Sequence, residues 1–283
     1  MQPDARISRE VVAQIPPAVI RERVVLVASG KGGVGTSVAT SLLALAYADA
    51  GKRVLVIDGH EGNGALHHLF GVRPLRSLDA LRDHTVEVSD VVIDLSEHFS
   101  LVTTKPASDE QLSLSPEDRR VPFERLLPLS ADYDCVIVDG GSRLDNVLAI
   151  AESGAGVAVL VTDADRISLA ANYALLKVLA QRASGVRCSV LVSRHDDLVS
   201  RGAGDQLVDA CERFLNLDLS LVGSIPDDAC LRAAIGAGMP IGDAADGSPA
   251  ALVMQAIAQR VLPWLSPARA DARASSSPLR QRS

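Results

Sequence analysis

Aromatic residues are scarce in this 283-residue chain: Phe, Trp and Tyr together make up 3% of it. A platform for stacking single-stranded bases would have few rings to use, and the core must be built from Ala, Val, Leu and Ile. Cysteine is sparse too. Cys135, Cys188, Cys211 and Cys230 lie far apart with no C-x-x-C spacing, which argues against a zinc site or a disulfide framework and for reduced thiols in the cytoplasm. No run approaches the roughly 18 uninterrupted apolar residues of a membrane-spanning helix. Positive charge is not in excess: 28 Lys and Arg against 35 Asp and Glu leave a net charge of −7. That argues against general coating of nucleic acid or of an anionic membrane, and leaves room only for a local basic patch. The one histidine pair, His67-His68, is adjacent in sequence; neighbours on a helix point to different sides, so a surface reading is preferred to a metal pair. The first seventeen residues carry scattered charges and no apolar h-region, unlike a secretory signal.

What remains is an ordinary globular balance, 47% hydrophobic and 22% charged. Residues 1–22, with Pro16-Pro17, lack sustained periodicity and read as a leader or docking segment. From Arg23 to about Leu265, short β-branched runs alternate with amphipathic stretches. Strands are expected at 23–29, 53–58, 99–104, 134–139, 156–162, 187–193 and 219–225. Helices are expected at 37–51 and at about 77–83, 121–131, 145–153, 167–183, 203–215, 228–237 and 247–265. That alternation predicts an α/β, three-layer domain with a mainly parallel sheet of seven or eight strands, covered on both faces. Residues 266–283, rich in Ser, Ala and Arg, lack an apolar stripe and read as a disordered tail. The tail arginines Arg269, Arg273, Arg280 and Arg282 make weak contact with anionic lipid or DNA conceivable, but a solvated tail is the simpler reading.

The strongest signal is Gly30-Lys31-Gly32-Gly33-Val34-Gly35-Thr36-Ser37, set between a buried strand and a helix. Glycines there let backbone N–H groups point inward around phosphate oxygens, and the helix N-terminus adds its positive end. A plain glycine turn is the alternative. Ser37 stands at the hydroxyl position that ligates magnesium in phosphate loops. The pattern G-x-x-x-x-G-K-[ST] is nevertheless broken, because Thr36 stands where its lysine belongs. A charge-assisted contact of that kind is worth about 1.5–3 kcal/mol, so both nucleotide affinity and turnover should be weakened. Asp58 and Asp139 each end a buried strand at the edge where open parallel sheets bind ligands; helix N-caps or turn acids are their alternative reading.

SGKGGVGTS followed by LVIDGHEGNGALHHLFG resembles the MinD/ParA family of P-loop ATPases with a deviant Walker A motif. The resemblance extends over about residues 23–262 and implies an ATP and Mg2+ site. Lys31 matches the family's second lysine, which implies a reach across a homodimer to the partner's nucleotide; a solvated loop lysine is the alternative. Asp58 matches the first acid of a D-x-D segment, Asn63 and Leu66 its N-x-x-L continuation, and Asp139 the magnesium-holding Walker B acid. The stretches 159–179 and 224–241, with Pro226 in the latter, look most like the flagellar-number branch, FlhG/FleN. That branch implies a flagellar GTPase of the signal-recognition type, a transcription regulator and the basal-body ring as partners.

Departures from the family cluster at the nucleotide. His60 replaces the second acid of D-x-D, with Glu61 adjacent; Ser193-Arg194 replaces the Asn-Arg pair that contacts adenine; Thr162-Asp163-Ala164-Asp165 replaces T-x-P-E. Arg143, in the segment after Asp139, is a candidate to restore the charge lost at Thr36, with a solvated loop arginine as the simpler reading. The expectation is a nucleotide-dependent dimerisation switch with weak or absent hydrolysis, acting on flagellar number or placement. A nucleotide-independent scaffold, a DNA-partitioning ATPase and a regulator of polysaccharide or pilus assembly are its rivals. No amphipathic membrane helix is visible after Trp264.

Overall fold

The structure, a computed structural model, describes residues 22–60, 64–104, 114–194 and 197–265. In chain order the regular elements are β1 (Val24–Ala28), α1 (Thr36–Asp49), β2 (Val54–Asp58), α2 (Leu66–Leu69), β3 (Val92–Ser96), β4 (Phe99–Val102), α3 (Pro116–Leu126), β5 (Cys135–Gly141), α4 (Leu144–Gly154), β6 (Val157–Thr162), α5 (Arg166–Arg182), β7 (Arg187–Ser193), α6 (Asp197–Leu215), β8 (Ser220–Ile225), α7 (Ala229–Gly236), α8 (Ile241–Ala244) and α9 (Pro249–Val261).

The eight strands form one sheet in the order β3-β4-β2-β5-β1-β6-β7-β8. Every neighbouring pair runs parallel except β3 with β4. The apolar runs explain this. β1, β2, β5 and β6 are buried along their whole length, as strands covered on both faces must be. Alternate residues of β1 serve the two faces: Val25 and Val27 pack in one core with α1 and α9, whereas Val24 and Leu26 pack in the other with α3, α4 and α5.

The expected strands are all present, and an eighth, β3, joins them at the edge. Between 77 and 83 the chain makes a 3-10 helix, Leu78–Arg82, and the helix expected at 121–131 lies earlier, as α3, followed by a 3-10 turn at Leu127–Asp132. Glu61 and Asn63, most of the expected leader and the arginines of the expected tail lie outside the described residues. Among the described residues, no helix is long and apolar enough to cross a membrane. Cys135, Cys188 and Cys211 are buried and unpaired, and Cys230 is exposed and unpaired.

Candidate functional site

The loop between β1 and α1 lies at the carboxyl edge of the sheet, beside the ends of β5 and β6. Its shape depends on glycine. Gly33 and Gly35 have φ of 80° and 94°, conformations that cost other residues strain. Gly30 is set by space: a Cβ there would lie 2.3 Å from the Ala171 carbonyl carbon on α5. Its N–H donates to Asn172 Oδ1 at 3.0 Å. α1 then starts from Gly35 with no side-chain cap and no acid in its first turn. The free N–H groups and dipole of a helix start make an anion site. Thr36 is 8% exposed. Its hydroxyl donates to Ser29 Oγ at 3.0 Å, and Ser29 donates to the Lys31 carbonyl at 2.9 Å. The residue in the lysine's position is thus engaged within the loop.

Asp58 and Asp139 face each other in register at the ends of β2 and β5, and both are fully buried. Asp58 accepts N–H groups from His60 at 3.2 Å and Leu66 at 3.1 Å. Burial first, then the Asp139 charge, pushes its carboxyl up to about 8. Asp139 Oδ1 accepts the Gly141 N–H at 3.1 Å, while Oδ2 is buried with no hydrogen-bond partner. Burial raises the Asp139 carboxyl as well, opposed by the nearby Ser37 hydroxyl and by His60. A lone buried carboxylate oxygen beside a serine hydroxyl is an incomplete oxygen donor set. It suits Mg2+, which takes few protein ligands and keeps several waters. Among the described residues, no cluster of three His, Cys, Asp or Glu is placed to hold a metal by itself.

Two buried asparagines, not foreseen from the sequence, fasten this edge. Asn146 donates to the Gly59 carbonyl at 2.5 Å and the Gly140 carbonyl at 3.0 Å, tying the segment after β2 to the end of β5. Asn172 donates to the Val161 and Ser168 carbonyls at 3.2 and 3.1 Å while holding Gly30. The available signal was an amide interrupting the buried stripe Ser168, Asn172, Leu175, Leu176, Leu179 of α5. The His60 ring lies over Gly141; a Cβ there would come within 2.4 Å of it, and the φ of Gly141 is 63°. His60 Nδ1 is buried without a partner. Arg143 is the N-cap residue of α4.

The end of β7 closes over the loop. Ser193 Oγ donates to the Val34 carbonyl at 2.6 Å, and Arg194 Nη2 donates to the Gly33 carbonyl at 2.7 Å. Pro226 follows β8 directly, next to this corner. Lys31 turns back onto its own chain, with Nζ 2.7 Å from Asp165 Oδ2 and 3.8 Å from Asp163 Oδ2. The hydrogen bond to Asp165 is the main cause of a raised Lys31 ammonium. The neighbouring Asp163 side chain, and then Lys31, hold the Asp165 carboxyl far below the usual range.

The model of the CobQ/CobB/MinD/ParA nucleotide binding domain matches residues 25–241. This chain belongs to that family. Among curated relatives, antiactivator FleN of Pseudomonas aeruginosa is 30% identical over 248 residues, covering 87% of this chain and 88% of its own. Among solved structures, the cell division ATPase MinD of Pyrococcus furiosus aligns with a TM-score of 0.71 at 21% identity, over 85% of this chain and 98% of its own. The septum site-determining protein MinD of Pyrococcus horikoshii, complexed with Mg-ADP, aligns with a TM-score of 0.70 at 21% identity, over 84% of this chain and 95% of its own. The MinD/ParA fold expected from the sequence is therefore the observed one.

Proposed function

We propose that this chain is a MinD/ParA-type switch of the FlhG/FleN branch that binds Mg-ATP, dimerises on it and hydrolyses it slowly or not at all. The observation that carries this is the pairing of a formed glycine loop at the start of α1 with the unpartnered Asp139 oxygen beside Ser37, while Thr36 stands in the lysine's place. The N–H groups of residues 32–37 cradle the phosphates, with Ser37 and Asp139 as the protein ligands of Mg2+. The metal supplies charge neutralisation at the phosphates when bound. Ser193, Arg194 and Pro226 border the base. Lys31 serves the partner's nucleotide in the dimer, and Asp58 orients the segment after β2 through the His60 and Leu66 N–H groups.

Turnover is where the site is deficient. Phosphoryl transfer needs charge at the γ-phosphate and an oriented water. Thr36 withholds the first, and His60 stands where a carboxylate would hold the second. Loss of one such preorganised contact typically costs about 10²–10³-fold, and two losses acting together need not add. The biological reading, control of flagellar number or placement from the cytoplasm with a signal-recognition-type GTPase or a transcription regulator as partner, rests on the likeness to FleN. The test is hydrolysis. The unmodified chain gives basal ATPase activity at or below detection, and Thr36→Lys with His60→Asp recovers dimer-dependent turnover. Robust turnover by the unmodified chain would show that Arg143, Lys31 or Glu61 already fills the vacated roles.

A further inference from the structure

Away from the glycine loop, the second half of α1 and the first half of α9 border an open hollow of about 560 Å³. Leu42, Leu45 and Asp49 line it from α1 at the spacing of one helix face, and Leu252 lines it from α9. The third wall is α8 and the turn that leads into α9, made of glycine and alanine apart from Asp243 and Asp246. These walls are held in place because the inner faces of α1 and α9 pack in one core. Two features of the hollow point to an occupant. Leu252 is 59% exposed and Leu45 only half-buried, so the fold leaves apolar surface uncovered there. Asp49, Asp243 and Asp246, all exposed, ring it with one sign of charge. Among the described residues no lysine or arginine lines the hollow, and none of the three carboxylates has a salt-bridge partner. An apolar floor inside a ring of unpaired acids suits a ligand that is apolar on one side and basic along its edges.

We propose that this hollow is a docking groove for a basic amphipathic helix of a partner protein, with leucine-like side chains on one face and lysine or arginine along its flanks. Such a helix laid in a hydrophobic groove is a recurrent mode of recognition. Its apolar face covers Leu45 and Leu252, and its basic flanks reach Asp49 on α1 and Asp243 and Asp246 on the third wall. Charge disfavours the competing occupants. A second copy seated on the same face sets acids against acids, and an anionic lipid surface is repelled. The groove also stands apart from the nucleotide. Leu42 lies six residues along α1 from Thr36, about 9 Å at the helical rise, and the rest of the α1 wall lies farther still. One helix thus starts at the phosphate loop and ends at the groove, and the proposal holds whether or not a nucleotide is bound.

The test uses the full chain without nucleotide and a fluorescent helical peptide of leucine and lysine, about 18 residues long, with its leucines on one face. A counterpart carries glutamate in place of lysine. Anisotropy in physiological salt shows saturable binding of the lysine peptide and none of the glutamate peptide. Leu252→Asp adds a negative charge but removes apolar contact, so it weakens the lysine peptide about tenfold, where attraction by charge alone would tighten it. Asp243→Lys with Asp246→Lys also weakens it about tenfold. Asp205→Lys with Asp209→Lys makes the same change of net charge at exposed positions of α6 and alters binding less than about twofold, because distant charges are screened. Groove and α6 variants that act alike, a Leu252→Asp chain that binds as tightly as the unmodified one, or an unmodified chain that binds neither peptide overturns the proposal. Self-association, or retention on anionic vesicles, that Leu252→Asp abolishes while peptide binding is unchanged assigns the groove to a second copy or to a membrane, and overturns it as well.

Discussion

The carboxyl of Asp139, which follows an apolar run in β5, is raised by burial, and its Oδ2 is buried and unpartnered. A raised carboxyl means that the ionised form is disfavoured in the metal-free fold, so near neutral pH this group opposes folding. Asp139→Asn, which removes the buried charge but keeps a polar group of the same shape, is therefore expected to stabilise the metal-free protein. It is also expected to abolish the dependence of nucleotide affinity on Mg2+. Thermal denaturation in chelator, set beside binding isotherms with and without Mg2+, checks both; an unstabilised variant would mean that water already satisfies Oδ2. The positions of Lys31, Ser37 and Asp58 at this edge were legible from glycine spacing and strand ends, and that of Ser193 from the family resemblance. The partners of Lys31 were not. Asp163 and Asp165 lie 134 residues or so away in sequence, and only the parallel pairing of β1 with β6 brings them to the loop. Asn146 and Asn172 escaped for a related reason: a buried amide looks like a surface one until the carbonyls it bonds are known.

Among the elements, the central parallel strands could be read from composition, since β1, β2 and β6 are almost continuous runs of Val, Leu, Ile and Ala and β5 holds such a run at its centre. β3 could not. It is half-exposed, pairs on one side only, and carries Asp94 and Ser96 among its apolar residues, so its pattern resembles that of a loop. The helix expected at about 77–83 is a 3-10 helix, Leu78–Arg82, with Leu78 and Leu81 buried, a three-residue spacing that the two helix types share. At the start of α7, Asp228 carries more than its own helix. It accepts the Leu231 N–H at 2.9 Å, and its other oxygen accepts the Ser248 hydroxyl at 2.6 Å, linking the caps of α7 and α9. Desolvation alone would raise this carboxyl, but those bonds and the Ala250 N–H outweigh it and lower it. A lowered carboxyl stabilises the fold at pH above its unfolded value, near 4, and loses that contribution as pH falls through the folded value. Asp228→Ala is thus expected to cost about 1 kcal/mol at pH 7, with the gap to the unmodified chain closing below about pH 4. Urea denaturation at the two pH values measures it; a gap independent of pH would mean that packing, not charge, is lost.

For the whole molecule, a MinD/ParA fold carries the proposed phosphate site with its charges rearranged. If Lys31 serves a second copy, ATP raises the dimer fraction seen by light scattering. Lys31→Ala then removes that response without lowering the melting temperature, and a dimer indifferent to Lys31 would refute the sandwich. Beneath every such claim lies the question whether a glycine cradle with threonine in place of its lysine still holds a nucleotide. Titration calorimetry with Mg-ATP answers it directly. The cradle, Ser37 and Asp139 predict a dissociation constant of tens to hundreds of micromolar, roughly −5 to −6 kcal/mol, tightened by Thr36→Lys. No heat and no thermal shift at millimolar Mg-ATP would contradict the account and leave a nucleotide-independent scaffold in its place.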